Sequence, residues 1–263
     1  MSIVIITIPG ESKRAVVDRI QKESGDAVSL IIVQTPRRRS FTQRVSAIWN
    51  RYSWWEDIYY GLRLRLDAGL RKQLEVFRAR SNPTVPTWSA PVIETDTIND
   101  PAIIERVRAC QPTVLAVWGS TIITDELSST APHAINLHLG CAPHYRGAIA
   151  NQRAVERHDF AHIGYTVHYI NSRADAGDII AQQCGATDTD PETTFTTLND
   201  AAETAFVTAT TTLAAGHTIP RQQQDSSQGE NVRLREWTPA MRYRVANIIK
   251  QWHDIGTPPS NAR

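Results

Sequence analysis

The chain predicts an α/β fold: a doubly wound, mostly parallel sheet with a helical insertion and a helical C-terminal tail. Three observations carry this. At 263 residues the chain suits one large α/β domain, or one domain with appendages. Short apolar runs alternate with helix-like patterns over the first 160 residues. A polar pair, Asn136 and His138, ends one apolar run just before a Pro/Gly-rich turn, and ligands of such sheets bind beyond the carboxyl ends of strands.

The elements follow in order. Residues 3–8 read as a buried first strand closed by Pro9-Gly10, and residues 12–23 as a helix carrying Ala15, Val16, Val17 and Ile20 inside. A second strand spans 28–33, a helix about 101–110, a strand 113–118, the motif-bearing strand 133–138, and a helix 148–157. Beyond residue 160 the pattern changes to two neighbouring strands, 162–170 and 178–186, whose connecting turn holds Asp175 and Gly177. A long Thr/Ala-rich helix over 191–215 follows, with Asp190 as its N-cap and Gly216 as its stop. Residues 221–230 read as loop, about 239–254 as an amphipathic helix, and the Pro/Ser tail as disordered. The expected domains are a catalytic unit over 1–215 and a C-terminal loop, helix and tail over 216–263.

Residues 36–80 stand apart as a basic, aromatic helical insertion. They hold eleven Lys/Arg against four Asp/Glu, a surplus of seven positive charges, and Trp49, Tyr52, Trp54, Trp55, Tyr59 and Tyr60. The whole chain is at +1, so the remainder carries −6. Leu62, Leu66, Leu70 and Leu74 recur every four residues and predict one amphipathic helix. The segment reads as a helical excursion with a solvated basic face, or as a recognition surface for an anionic partner such as a linked acceptor, a nucleic acid or a membrane surface. Its aromatics between 49 and 60 are a candidate homodimer surface.

Composition is globular, 41% hydrophobic and 21% charged. The opening apolar run is too short for a membrane span and lacks a signal-peptide plan, so a cytoplasmic protein without a transmembrane segment is expected. Cys110, Cys141 and Cys184 are odd in number and show no CxxC spacing. That argues against a disulfide framework or a metal site and fits a reducing compartment.

Side chains at i and i+2 of a strand share a face, so Asn136 and His138 project together. Asp175 in the second loop completes a site. An amide, an imidazole and a carboxylate suit acyl transfer: donors for a developing oxyanion, and a group that orients the imidazole or takes a proton. There is no GxSxG or HExxH pattern, so direct attack by the acceptor on a bound donor is expected rather than a covalent enzyme intermediate. Competing histidines are His133, His144, His162 and His168.

The ordered combination resembles the folate-dependent formyltransferases, whose members include glycinamide ribonucleotide, methionyl-tRNA and amino-sugar N-formyltransferases. The matching motifs are Asn136-Leu137-His138, Pro143-His144-Tyr145-Arg146-Gly147, Gly164-Tyr165-Thr166-Val167-His168, and Asp175-Ala176-Gly177-Asp178-Ile179-Ile180-Ala181-Gln182. The resemblance is specific over about 113–186 and does not cover residues 36–80. It implies a Rossmann-like formyltransferase fold and 10-formyltetrahydrofolate as donor. Asn136 and His138 would serve the formyl oxygen, and Asp175 would pair with His138 and take up the amine proton. The resemblance also implies a folate site made by Trp118, Gly119, Ser120, Thr121 and Ile122 on one side and by Ile170 and the Asp175–Gly177 loop on the other, with His168 supporting that loop. The implied acceptor is a small-molecule primary amine, such as an anionic amino sugar or a natural-product intermediate, with no obligatory nucleic acid. Departures at Leu139, Cys141 and Ala142 suggest a differently shaped acceptor pocket. The opening lacks a Gly/Ser-rich phosphate loop, which disfavours the purine acceptor, and the short tail disfavours the methionyl-tRNA acceptor. Alternatives are a formyltetrahydrofolate hydrolase and a catalytically silent folate- or nucleic-acid-binding module.

Overall fold

The computed structural model describes residues 1–35, 54–78, 88–185, 187–225 and 227–260. Seven strands form one sheet: β1 (Ile3–Thr7), β2 (Val28–Gln34), β3 (Val92–Thr95), β4 (Val114–Trp118), β5 (His133–His138), β7 (Gly164–Tyr169) and β8 (Ile179–Cys184). Their spatial order is β3-β2-β1-β4-β5-β7-β8. The first five in that order run parallel, and β7 and β8 are antiparallel to their neighbours. β6 (Tyr145–Gly147) pairs separately with β9 (Glu230–Val232).

The doubly wound sheet follows from strands apolar on both faces. Ile3, Ile5, Val114, Ala116, Ile135 and Leu137 point into one core, and Val4, Ile6, Leu115 and Val117 into the other. The first core is closed by α1 (Glu11–Glu23), by α7 (Pro191–Ala214) through Phe195, Leu198 and Phe206, and by α8 (Pro239–Ile255) through Val245, Ile249 and Trp252. The second is closed by α4 (Pro101–Ala109) through Ile104 and Val107, and by Leu127 of the short α5 (Asp125–Ser128). Asp190 caps α7 by accepting from Thr193 N at 2.8 Å, and Gly216 leaves it at φ 83°.

Several sequence expectations are corrected. The 62/66/70/74 leucine repeat does not lie on one helix. The chain breaks at Asp67, which accepts from Leu70 N at 2.9 Å and so caps a new helix. The result is α2 (Trp54–Leu66), α3 (Ala68–Gln73) and a 3-10 turn (Leu74–Phe77). The buried leucines are Leu64 and Leu70, packed with Ala246 of α8, whereas Leu62 and Leu66 face outward. Asp57 caps α8 from the side, accepting from Ala240 N at 3.3 Å. Trp49, Tyr52 and the arginines between 37 and 51 lie outside the described residues.

The loop expected over 221–230 ends in β9. Arg153 of α6 (Ala150–Glu156) anchors that strand through Glu230 at 2.8 Å and the following turn through Glu236 at 2.5 Å. The tail expected to be disordered is ordered at least to Ser260: Pro259 is buried, and its carbonyl accepts from His158 Nδ1 at 3.1 Å. Cys141 and Cys184 form a disulfide, leaving Cys110 free. Odd cysteine number therefore carried no information on pairing, because the turn after β5 and the end of β8 bring two distant thiols together. Cysteine usage gives no argument for a reducing compartment. No helix among the described residues is long and apolar enough to cross a membrane.

The leucine reassignment is directly testable. Leu64→Ala should destabilise the protein by about 2–4 kcal/mol and Leu62→Ala by no more than about 0.5 kcal/mol in denaturant unfolding. The reverse order would restore the four-residue repeat as the buried face.

Candidate active site

The parallel strands end on a cleft of about 940 Å³. Its walls are residues 117–123 at the end of β4, residues 136–139 at the end of β5, the loop 170–175 after β7, and Asn231, Val232 and Arg233. Register decides which polar groups meet there. β5 and β7 pair antiparallel with Asn136 opposite His168 and His138 opposite Thr166, and directly opposite side chains interact.

Asp175 is the hub. Its Oδ1 accepts from Asn136 Nδ2 at 3.1 Å and lies 3.3 Å from His168 Nε2. Its Oδ2 accepts from Gly147 N at 2.9 Å and lies 3.5 Å from His138 Nδ1. Gln224 Nε2 donates to the Asp175 carbonyl at 3.2 Å, holding the loop itself. Asp175 sits at φ 50°, a left-handed conformation that Asp tolerates better than most residues. Burial acts to raise its pKa. The positive potential of His138, the hydrogen bond and charge of His168 and the Gly147 N–H outweigh burial and hold the carboxyl well below the ordinary range.

The imidazoles are fixed from behind. His138 is buried, and Nε2 donates to the Tyr145 carbonyl at 3.0 Å, which leaves Nδ1 toward the carboxylate. His168 Nδ1 donates to the Tyr169 carbonyl at 2.8 Å, and its Nε2 lies 3.2 Å from Asn136 Nδ2. His168 thus supports both Asp175 and Asn136. The turn carrying Tyr145 is braced on β7: Thr166 Oγ1 donates to Gly140 O at 2.8 Å and accepts from Ala142 N at 3.1 Å. Gly140 has no room for a side chain, since a Cβ there would lie 2.3 Å from His138 Nε2 and 2.4 Å from Ala150 Cβ.

The structure brings Asn136, His138 and Asp175 together, and Trp118, Gly119, Ser120, Thr121, Ile122 and Ile170 all line the cleft. Gly177 does not. Its Cα packs against the Tyr169 carbonyl, where a Cβ would come within 1.8 Å, so it is a close-packing position of the β7–β8 connection. Cys141 and Ala142, in the turn after β5, are buried against β7 and β8 and do not line the cleft, so of the three departures only Leu139 shapes it. His133 pairs with Tyr169 Oη at 3.0 Å, and His144 and His162 stack 3.8 Å apart beside Asp159, away from the cleft walls.

Sequence reasoning missed the wall from β9, because Asn231, Val232 and Arg233 lie far along the chain and carry no motif. It also missed Lys13, whose Nζ sits 2.8 Å from the Trp118 ring centroid, backing that wall. Burial lowers the Lys13 amine to about 7, and burial raises the nearby Glu203 carboxyl to about 7. Among the described residues no group of three or more His, Cys, Asp or Glu is placed to hold a metal ion.

Fold and site together define a class of enzymes that move an acyl group at the carboxyl edge of a parallel sheet. A family model described as formyl transferase matches residues 71–210, and the chain belongs to that family, whose members are enzymes that transfer formyl groups. It is 30% identical over 182 residues to a methionyl-tRNA formyltransferase of Anaeromyxobacter dehalogenans, an alignment covering 63% of this chain and 57% of that protein. The chain thus spans just over half the length of that curated relative. In fold it is similar to a sugar N-formyltransferase from a Shewanella species, with TM-score 0.59, 11% identity and coverage of 94% of this chain and 88% of the other. It is also similar to an N-formyltransferase from Helicobacter canadensis in complex with folinic acid and dTDP-3-aminofucose, with TM-score 0.56, 13% identity and coverage of 99% and 85%.

Two outcomes check the site's construction. Gly140→Ala should displace the His138 ring and lower activity far more than it lowers melting temperature. Equal losses would make Gly140 a general packing position. Asp175 has a depressed folded pKa, so its stabilisation is complete above the unfolded value of about 4 and is lost as pH falls below it. Thermal unfolding from neutral to acid pH should therefore fall less steeply for Asp175→Asn than for wild type; parallel curves would remove the pairing.

Proposed function

We propose that the protein transfers a formyl group from 10-formyltetrahydrofolate to the primary amine of a small, anionic acceptor. The observation that carries this is the convergence of Asn136, His138 and His168 on one half-buried carboxylate, Asp175, at the floor of the cleft. Residues 1–215 are taken as the catalytic domain, and residues 216–263 as an appendage that walls the cleft through β9.

In this reading the folate lies between residues 118–122 and the loop at 170–175. Asn136 offers an amide N–H to the formyl oxygen as it becomes an oxyanion. The amine nitrogen attacks the formyl carbon, the bond to the folate nitrogen breaks, and the amine sheds a proton. Asp175 takes that proton directly or through one water and passes it on to the departing folate nitrogen, and His138 steadies the developing charge. Direct attack suits a site where, among the described residues, no serine or cysteine bonds to His138 or His168. An anionic acceptor is supported by charge. Arg173 and Arg233 line the cleft, and Asp175, the one acidic lining residue among the described residues, already accepts from Asn136 and Gly147. An amino sugar carried on a nucleotide fits that charge, and the Helicobacter canadensis relative was solved with such a molecule.

Purified protein should convert 10-formyltetrahydrofolate to tetrahydrofolate when a nucleotide-linked amino sugar is supplied and stay idle without an amine. Turnover unaffected by acceptor would make it a hydrolase. His138→Ala and Asp175→Asn should each lower kcat by about 10²–10⁴ while folate binding by calorimetry persists. Near-wild-type rates in both would overturn the assignment.

A further inference from the structure

Beyond α7 the chain comes back along the site as a strap, over residues 221–225 and 227–233, and it is fastened at several places. Arg221 lays its guanidinium 3.8 Å from the Tyr169 ring centroid at the end of β7. Gln222 pairs through its backbone with Ile179 at the start of β8, with N–H to carbonyl bonds of 2.8 and 2.9 Å in the two directions. Gly229 runs so close to the turn after β5 that a Cβ would lie 2.1 Å from Pro143 O and 2.4 Å from His144 O, and its φ of 72° is left-handed. β9 then pairs with β6.

Gln224 stands between these fixings. Its Nε2 donates to two carbonyls of the β7–β8 connection, Asp175 O at 3.2 Å and Gly177 O. Its Oε1 is buried and has no hydrogen-bond partner among the described residues. An unpaired buried acceptor is costly, but the reversed amide would set that oxygen against both carbonyls. The amide is therefore oriented by the loop it holds. Within that loop Asp175 sits at φ 50°, and a left-handed non-glycine residue persists only where its surroundings enforce it.

The same strap reaches the Asp175 side chain by a second route. Gly147 N, which donates to Asp175 Oδ2 at 2.9 Å, belongs to β6, and β6 is the strand that β9 pairs with. One stretch of chain thus holds Asp175 by its backbone through Gln224 and by its carboxylate through β9 and β6. We propose that Gln224 is a positioning residue for the reaction: it sets the Asp175 backbone so that the carboxylate meets Asn136, His138 and the Gly147 N–H, which makes the strap part of the active site. This segment lies outside residues 71–210, which match the family model. The catalytic consequence rests on the formyl-transfer reading; the hold on Asp175 does not, so the two are measured separately.

The Gly147 amide proton reports the alignment, because its bond to a carboxylate is charge-assisted and shifts it downfield. In the full chain, Gln224→Ala should move that resonance upfield. Gln224→Glu keeps the volume but cannot donate to either carbonyl at neutral pH, so it should do the same and serves if Gln224→Ala folds poorly. Both should lower kcat for formyl transfer by about 10- to 100-fold, while KM for 10-formyltetrahydrofolate rises by no more than about threefold. Gln223→Ala, an exposed neighbour on the same strap, should change none of these. An unmoved Gly147 resonance in both Gln224 variants would overturn the proposal, as would wild-type kcat in both or equal losses in Gln223→Ala. A wild-type protein that transfers no formyl group would remove the formyl-transfer reading instead, and the Gly147 resonance would still decide whether Gln224 holds Asp175.

Discussion

The Asp175 carboxylate is the interaction on which the site depends. A carboxylate largely withdrawn from water needs several polar partners to stay ionised, and here they come from three strands. Asn136 and His138 come from β5, His168 from β7, and the Gly147 N–H from β6. The histidines and Gly147 are held in place by further bonds. His138 donates to Tyr145 O and His168 to Tyr169 O, while Gly147 is set by pairing of β6 with β9. Removing the carboxylate would leave these donors facing one another, so the same charge that suits chemistry also holds the cleft floor together.

The fold supplies that convergence by placing β5 where the sheet changes direction. It pairs parallel with β4 and antiparallel with β7. The carboxyl end of β5 thereby faces both the end of β4, which carries Trp118 and Gly119, and the loop after β7, which carries Asp175. The turn after His138 is tied to the same neighbours by Thr166, Gln182 and the Cys141–Cys184 disulfide. Rigid support for a polar constellation is what keeps donors aimed at a developing charge.

The family relation and the geometry answer different questions. Similarity to solved formyltransferases at 11–13% identity speaks for the fold, and the family model covers residues 71–210. The cleft is also lined by Leu139, Arg173 and the β9 wall, of which β9 falls beyond that match. Residues 36–70 are likewise outside it.

The sequence by itself determined the strands and helices whose patterns are local. Residues 3–8, 28–33 and 113–118 are short apolar runs with a single Ser or Thr each, 133–138 sets Ala134, Ile135 and Leu137 among its polar positions, and Asp190 with Gly216 brackets α7 at both ends. It also determined the chemistry at the end of β5, because i and i+2 on a strand share a face whatever surrounds them. Only the tertiary structure decided the rest. A four-residue leucine repeat is compatible with one helix, yet an aspartate able to cap its own downstream N–H split it and turned Leu62 and Leu66 outward. Cys141 and Cys184 are 43 residues apart, and Asn231 and Val232 more than 90 from Asn136. Their meeting is set by strand order and packing, which no local pattern encodes.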